Sequence, residues 1–337
     1  MPPTSAQPRA RSTAERALQG ARWRILDAHR KGRRWATRRA FARRARVNDG
    51  VFAVDIESPI GLFAQLNWCL YIIAHCAQNG LRPYIRLSGA SYQGPGPNSN
   101  WFGYHFENLE LTDRDRHRID AGEIVTTKVR LLDEVPLDPE FDAELTLERA
   151  NQLVKRYLGI QPAVLDKVTE FRDRHAIGRN TLGVHYRGTD KVAEAPRVPW
   201  EACRDAVHAY LASHPEIDGL FVSSDEQSFV DYLVGEVRAV TVHAHDDDFR
   251  SLNGQAIHAH AADPNGDRKG AEAIVNCLLL AQCSAVVRTS SFLSAWSSVF
   301  NPDLEVILLN RPFDGTFWFP ERAIVATIEA RTSGSQP

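Results

Sequence analysis

The chain alternates short apolar runs with amphipathic helical segments, and this alternation constrains its fold more than any other feature. Strands are predicted at residues 51–56, 83–87, 181–187, 217–223, 238–243, 284–288 and 304–309. Helices are predicted at residues 62–78, 144–158, 162–176, 199–213, 226–235, 268–283 and 292–299. Because parallel strands need a crossover connection, usually a helix, the spacing predicts an α/β protein with parallel, doubly wound sheets.

The 337 residues are enough for two domains. The sequence Gly178-Arg179-Asn180 interrupts the pattern between a predicted helix and a predicted strand, and we place the domain boundary there. We expect two Rossmann-like domains, residues 49–178 and 179–330. A basic segment of residues 1–48, helical or disordered, and a disordered tail of residues 331–337 would flank them.

Charge is distributed unevenly along the chain. The first 50 residues contain 14 of the 40 Lys and Arg residues and three acids, so the remainder has 26 basic and 39 acidic residues, a formal charge of −13. An acidic body argues against a nucleic-acid-binding protein. The five cysteines form no CxxC pair, and we interpret them as reduced core residues.

Residues 9–46 mix arginines with aromatic side chains, a composition that suits contact with an anionic membrane surface. A solvated basic tail and a transit peptide are the alternatives. No apolar run approaches the roughly 18 residues that a membrane-spanning helix needs, and no secretory signal is present. We expect a cytoplasmic protein. Peripheral contact with the inner face of the membrane is compatible with that location.

Residues 182–194, LGVHYRGTDKVAE, carry the densest group of reactive side chains. A buried strand ends there in His185, Arg187, Asp190, Lys191 and Glu194. Arginine and lysine neutralise phosphate oxygens, and a carboxylate accepts a proton. The segment therefore suits chemistry on a phosphorylated substrate. The alternative is a strand followed by a charged loop with local ion pairs.

Two turns at the ends of predicted strands are candidate anion sites. Gly61 precedes a helix that contains Gln65, and a glycine turn lets a ligand approach the helix N-terminus closely. The turn Thr289-Ser290-Ser291 offers hydroxyls and N–H groups that suit a pyrophosphate, although a simple helix cap explains it equally well. A plain glycine turn is likewise the alternative at Gly61.

Two acidic stretches are further candidate functional sites. Asp225 and Glu226 follow the predicted strand 217–223, either as a donor contact or as an ordinary helix N-cap. The triplet Asp246-Asp247-Asp248, near His243 and His245, suggests a metal site, but an arginine-based site holds a diphosphate without metal. We therefore expect no metal ion and no other cofactor.

The segment from His185 to Lys191, His-Tyr-Arg-Gly-Thr-Asp-Lys, followed by Glu194, resembles the donor-site motif of the GDP-fucose-dependent fucosyltransferases. It is most similar to the α1,6-fucosyltransferases, which include the bacterial nodulation enzymes. Their motif reads His-x-Arg-Arg-x-Asp-Lys, so Gly188 stands in place of the second arginine. The Gly61 turn, the His-x-Arg motif and the Ser-rich turn follow in the family's order, and the resemblance covers roughly residues 51–310.

The resemblance implies the GT-B glycosyltransferase architecture, in which two Rossmann-like domains face each other across a cleft. It implies transfer of fucose from GDP-fucose to a glycan hydroxyl, with inversion and without metal. The C-terminal domain would bind the nucleotide sugar, and the N-terminal domain, with loop 88–105, the acceptor. The alternatives are the same architecture with another nucleotide sugar, and a non-catalytic protein that binds nucleotide sugars or glycans.

Roles for individual residues follow from the motifs and the resemblance together. The expected catalytic residues are Arg187, Lys191, Glu194 and Asp190. The expected donor-binding residues are His185, Gly61, Gln65, Asp225, Asn276, Arg288, Thr289, Ser290 and Ser291. Asn276 falls where the family has an Asp that contacts guanine. We expect Arg288 to point toward the donor phosphates and to compensate for Gly188, with Arg268 and Lys269 as other candidate cations.

Overall fold

The computed structural model describes residues 32, 35–36, 39–40, 43–45, 47–94, 100–136, 139–188, 194–245, 249–250, 265–313 and 317–333. Its strands are β1 (Val51–Ile56), β2 (Arg82–Leu87), β3 (Phe106–Asn108), β4 (Thr127–Val129), β5 (Leu158–Ile160), β6 (Thr181–Tyr186), β7 (Gly219–Ser224), β8 (Thr241–His243), β9 (Ala285–Arg288) and β10 (Glu305–Leu308). Its α-helices are α1 (Leu62–Asn79), α2 (Phe102–His105), α3 (Asp113–Asp120), α4 (Pro139–Glu144), α5 (Leu147–Tyr157), α6 (Pro162–His175), α7 (Trp200–Ser213), α8 (Gln227–Glu236), α9 (Gly266–Leu280), α10 (Phe292–Phe300) and α11 (Glu321–Thr332).

The first half of the chain contains a parallel three-stranded sheet with the strand order β2-β1-β4. Every residue of the central strand β1 is buried. Helix α1 follows directly and ends where Gly80 takes the left-handed conformation, with φ of 62°, which glycine adopts without steric cost. A small antiparallel pair, β3-β5, lies outside this sheet.

The second half contains a parallel five-stranded sheet with the order β10-β9-β6-β7-β8. Strand β6 lies at its centre, between β7 and β9, and all residues of these three strands are buried. Parallel strands place their carboxyl ends at one edge, so the polar residues that follow β6, β7 and β9 are brought together there. The predicted α/β class with parallel sheets is confirmed.

The two halves pack directly on each other. The largest hydrophobic cluster includes residues of both halves, and the rings of Phe63 and Trp296 lie 6.2 Å apart across the contact. Helix α11 also returns to the first half, where Arg322 forms an ion pair of 2.8 Å with Asp142. The predicted boundary at residue 178 divides the two sheets, but the core crosses it.

Several elements of the first half were not predicted. Strands β3, β4 and β5 have three residues each, which is too short for a periodic pattern. Helix α3 has one apolar residue, Ile119, and its sequence signal is a capping box in which Thr112 and Asp115 bond to each other's backbone N–H groups. The predicted helix 144–158 corresponds to α5, which Thr146 caps, whereas α4 precedes it and was not predicted.

The predicted ends of the fold also need correction. Ala45 is 1% exposed and belongs to the main core, and the side chain of Asn48 bonds to the backbone of Val125 in both directions. The end of the basic segment therefore belongs to the first half. Helix α11 continues to Thr332, so the first residues of the expected disordered tail are helical.

The remaining global predictions concern cysteines and membrane spans. All five cysteines are free and buried, as predicted. Within the described residues, no helix is long and apolar enough to cross a membrane.

Candidate functional site

Two adjoining cavities lie at the carboxyl edge of the five-stranded sheet. The first, which we call the β6 cavity, has a volume of about 120 Å³, and the second, the α1–α10 cavity, about 300 Å³. Both contact Arg187, Tyr92, Ala273 and Leu293, so they form one site with Arg187 at the junction. Their combined size falls at the lower end of the roughly 300–1,000 Å³ range of small-molecule sites.

The β6 cavity is polar. Its lining includes four of the predicted donor-site residues, His185, Arg187, Asp225 and Asn276. The other lining residues are Tyr92, Ser223, Ser224, Phe249, Lys269, Glu272, Ala273 and Leu293. The structure thus brings together residues that lie far apart in the sequence.

His185 is buried at the end of β6 and is 4% exposed. Burial lowers its pKa well below the usual value, and the nearby guanidinium groups of Arg288 and Arg187 lower it further. The imidazole is therefore neutral at physiological pH. Its Nδ1 atom is buried without a hydrogen-bond partner in the described structure.

Arg187 is held by the ends of the two strands that flank β6. Its backbone N–H donates to Thr289 Oγ1 at 2.8 Å, and its Nε lies 3.7 Å from Asp225 Oδ2. The other oxygen of Asp225 accepts from the Gly188 N–H at 3.2 Å. With its side chain 21% exposed, Arg187 presents a positioned guanidinium at the junction of the cavities.

The N-terminal ends of two helices line the α1–α10 cavity. Gly61 and the first residues of α1 line it on one side, and Ser291, Phe292 and Leu293, at the start of α10, on the other. Neither helix has a side-chain cap or an acid in its first turn. Helix N-termini carry partial positive charge, so the cavity beside Arg187 favours an anionic group.

Glu194 also lines the α1–α10 cavity, as a carboxylate in the same space as Arg187. Its backbone carbonyl accepts from the Phe313 N–H at 2.8 Å, which fixes the chain at this point. Gln65, in contrast, is fully buried, and its Nε2 donates to the Ile60 carbonyl at 2.8 Å. Gln65 supports the Gly61 turn and is absent from the lining of both cavities.

The predicted role of Arg288 is wrong. This guanidinium is fully buried and forms an ion pair with Glu321, at 2.9 Å from Nη1 to Oε2, with a second, shorter contact from Nη2 to Oε1. It also donates to Ser294 Oγ at 2.8 Å and to the Ser291 carbonyl at 2.9 Å. Its donors are directed to protein acceptors, so Arg288 supports the turn, and it lines neither cavity.

The backbone N–H groups of the Ser-rich turn likewise donate to acceptors within the protein. The Ser290 N–H donates to Asn310 Oδ1 at 2.7 Å, and the Ser291 N–H donates to Glu321 Oε1 at 2.9 Å. Thr289 Oγ1 accepts from Arg187, as described above. The expected use of these N–H groups for a pyrophosphate is therefore not supported, although Ser291 still contributes to the wall of the α1–α10 cavity.

The space beside Gly188 is taken by Glu226. A Cβ atom at Gly188 would lie 2.5 Å from Glu226 Oε1, so a larger side chain requires Glu226 to move. Burial raises the pKa of Glu226, and the neighbouring Asp225 raises it further. A carboxylate therefore occupies the space beside Gly188.

Lys269 is the candidate cation that the structure places in the β6 cavity. It is 8% exposed, although lysine is seldom buried unless it is paired, and its Nζ lies 5.4 Å from the ring centroid of Phe249. Arg268 also lies over the Phe249 ring, with its Cζ 5.1 Å from the ring centroid, and pairs with Glu272 at 2.9 Å, but it does not line the β6 cavity. Arg288, Arg268 and Lys269 were the cations expected to compensate for Gly188, and of these three Lys269 lines the β6 cavity.

Some lining residues had no predicted role. Glu272 is one of them, and it lies one helical turn from the predicted Asn276 on α9, a spacing that places both on the same face. The hydroxyl of Tyr92 accepts from the Leu62 N–H at 2.9 Å and so satisfies the first residue of α1. The spacing on α9 is visible in the sequence, whereas Tyr92 and Phe249 come from loops whose position no local pattern indicates.

Some predicted residues cannot be placed. Asp190 and Lys191 lie outside the described residues, as does the triplet Asp246-Asp247-Asp248. Within the described part of the chain, no group of three or more His, Cys, Asp or Glu side chains is arranged to hold a metal ion.

Comparison with solved structures finds fucosyltransferases, the family that the sequence motifs resemble. The α-1,6-fucosyltransferase NodZ co-crystallised with GDP is 17% identical with a TM-score of 0.47, over 73% of this chain and 91% of that one. NodZ from Bradyrhizobium gives the same identity and coverage with a TM-score of 0.46. POFUT1 in complex with GDP-fucose is 8% identical with a TM-score of 0.44, over 76% of this chain and 97% of that one.

No family model matches the chain, and none of the curated proteins matches it.

Proposed function

We propose that this protein is a glycosyltransferase that transfers fucose from GDP-fucose to a hydroxyl of a glycan acceptor. The observation that carries the proposal is the position of Arg187 at the junction of two adjoining cavities, beside the N-terminal ends of α1 and α10. That junction suits a diphosphate. The nucleoside would occupy the β6 cavity, and the sugar would extend into the α1–α10 cavity.

The proposed chemistry is displacement at the anomeric carbon. As the bond to the β-phosphate oxygen breaks, negative charge develops on GDP, and Arg187 with the helix N-termini stabilises it. Glu194, in the same cavity as Arg187, accepts the proton of the attacking acceptor hydroxyl. Attack from the face opposite the leaving group inverts the anomeric centre, and these groups need no metal ion.

Guanine recognition is assigned to neutral His185 and to Asn276, both of which line the β6 cavity. Lys191 and Asp190 remain proposed contributors near the phosphates and the acceptor. The site of Gly188 and Glu226 supports a second candidate, the same reaction with another nucleotide sugar, because a carboxylate replaces a cation there and alters the charge that the donor meets.

The test uses the full chain with nucleotides and nucleotide sugars. We expect GDP to raise the melting temperature, with the shift unchanged by a chelator, while UDP and dTDP have no effect. In a transfer assay with GDP-fucose, GDP-mannose, UDP-glucose and dTDP-rhamnose, we expect release of nucleotide from GDP-fucose. Stabilisation by UDP or dTDP without GDP would move the proposal to another donor, and binding without turnover would favour a non-catalytic binder.

A further inference from the structure

The end of the basic segment exposes a row of side chains along one helix face. Residues 35, 36, 39, 40, 43–45 and 47 are helical. Trp35, Arg39, Arg43 and Val47 follow one another at intervals of four residues, a spacing that places them along the same side of a helix. All four are exposed, Trp35 to 61% and Val47 to 74%. We call these four residues the Trp35 face.

The opposite side of this helical stretch is attached to the first half of the protein. Ala45 is 1% exposed and belongs to the main core, and Arg44 Nη1 donates to Thr127 Oγ1 of β4 at 3.0 Å. Because a helix turns by about 100° per residue, Ala45 lies roughly 200° around the axis from Arg43. The Trp35 face therefore points away from the surface on which the helical stretch packs.

One end of the Trp35 face continues into a second exposed apolar residue. Val47 precedes Asn48, whose side chain bonds to the backbone N–H and carbonyl groups of Val125. Val125 is itself 55% exposed. Two exposed aliphatic side chains thus lie close together beside the arginines.

The charge of the Trp35 face is positive. Arg39 lies over the ring of Trp35, with its Cζ 4.8 Å from the ring centroid, so a cation and an aromatic ring share one surface. Asp49, the next acid along the chain, pairs with Arg114 at 3.3 Å. The first 50 residues together contain 14 basic and three acidic residues, so this part of the surface attracts anions.

We propose that the Trp35 face docks the protein on a membrane surface that contains anionic phospholipids. Arg39 and Arg43 contact the headgroup phosphates, and Trp35 packs at the boundary between headgroups and acyl chains, where tryptophan is enriched. Val47 and Val125 bury aliphatic surface at the same boundary. A nucleic acid fits this surface less well, because its phosphates and bases offer no aliphatic environment to these two valines.

The Trp35 face is separate from the candidate active site. Val47 precedes β1, whereas Gly61 follows β1 and lines the α1–α10 cavity. Strand β1 has six residues, and a strand rises about 3.3 Å per residue, so its two ends lie roughly 20 Å apart. Membrane binding can therefore be tested whether or not the protein binds GDP.

The first measurement is flotation of the full chain with lipid vesicles. One set contains phosphatidylcholine alone, and the other contains phosphatidylcholine with phosphatidylglycerol. We expect binding to the anionic vesicles to be at least about tenfold stronger at 0.1 M salt, and to fall at 1 M salt, where the Debye length shrinks from about 10 Å to about 3 Å. Equal binding to both sets, or binding to neither, would overturn the proposal.

Charge reversal identifies the surface that makes the contact. Arg39→Glu combined with Arg43→Glu should weaken binding to the anionic vesicles at least about tenfold, because two cations that attract the headgroups become anions. The control combines Arg149→Glu with Lys155→Glu, at two exposed basic residues of α5, and changes the net charge equally. Equal losses in the two double variants would show that only net charge matters, and the proposal would be wrong.

Replacement of the tryptophan tests the apolar part of the contact. Trp35→Ser should weaken vesicle binding about tenfold, while Trp35→Phe keeps most of it. Circular dichroism should give the same melting temperature for all variants, because the changed side chains are exposed. Vesicle binding unchanged by Trp35→Ser, or tighter binding to a short DNA duplex than to anionic vesicles, would refute membrane docking through this face.

Discussion

Replacing Glu321 by alanine tests what stabilises the turn at Ser290 and Ser291. Glu321 accepts from the fully buried Arg288, from Ser290 Oγ and from the Ser291 N–H. Its removal leaves a guanidinium buried without its counter-charge, which typically costs about 3–5 kcal/mol. Against a total stability of roughly 5–15 kcal/mol, that loss is large enough to measure in a single urea titration.

Glu329→Ala is the matched control on the same helix. Glu329 pairs with Arg311 at 3.2 Å, but both side chains are more than half exposed, and such pairs contribute about 1 kcal/mol or less. Unfolding by urea, followed by circular dichroism, gives both free-energy changes. If Glu321→Ala costs no more than Glu329→Ala, the buried ion pair does not stabilise the turn and our account of Arg288 is wrong.

The other predictions address the donor site, its pH dependence and the N-terminal segment. Lys269→Ala should weaken GDP binding about tenfold or more in calorimetry, while Lys155→Ala, at an exposed lysine on α5 outside both cavities, changes it little, and equal effects would remove Lys269 from the donor site. Burial lowers the pKa of His105 to about 4, below the unfolded value of about 6.5, so stability should fall by roughly 3 kcal/mol as the pH drops from 6.5 to 4. His105→Phe should flatten that dependence in urea titrations across this pH range, and an unchanged slope would show that His105 is not the group responsible. Deleting residues 1–42 should leave the melting temperature unchanged. Deleting residues 1–48 should lower the free energy of unfolding by about 2–4 kcal/mol, because the hydrogen bonds of Asn48 are lost. Equal stability of the two truncated forms would refute this. If the basic segment binds membranes, the shorter truncation should also lose binding to anionic vesicles.

Local patterns predicted all five strands of the second sheet and β1 and β2 of the first, because these are apolar runs separated by helical segments. Parallel strands end at one edge of a sheet, so the polar residues at the ends of the predicted strands were expected to lie together, and the structure places His185, Arg187 and Asp225 in the lining of one cavity. Asn276 was predicted from the resemblance alone, and it lies on α9 in the lining of the same cavity.

Long-range pairing explains what could not be predicted. Arg288 meets Glu321, which is 33 residues further along the chain and begins a helix that no sequence pattern had indicated. Glu226 fills the space beside Gly188 because β6 and β7 are neighbours in register, and a sequence shows the glycine without showing what occupies its space. These contacts depend on tertiary packing, which local propensity does not specify.

The most direct test of the donor site is the affinity for GDP of the wild-type protein and of Arg187→Lys, measured by calorimetry with a chelator present. Lysine keeps the charge but loses the planar fork that binds two phosphate oxygens. We predict a loss of about ten- to a hundredfold in affinity with an unchanged melting temperature, while Arg204→Lys, a change on α7 outside both cavities, has no effect. GDP binding that Arg187→Lys leaves intact, or no GDP binding by the wild type, would contradict the assignment of this cavity to a GDP-sugar.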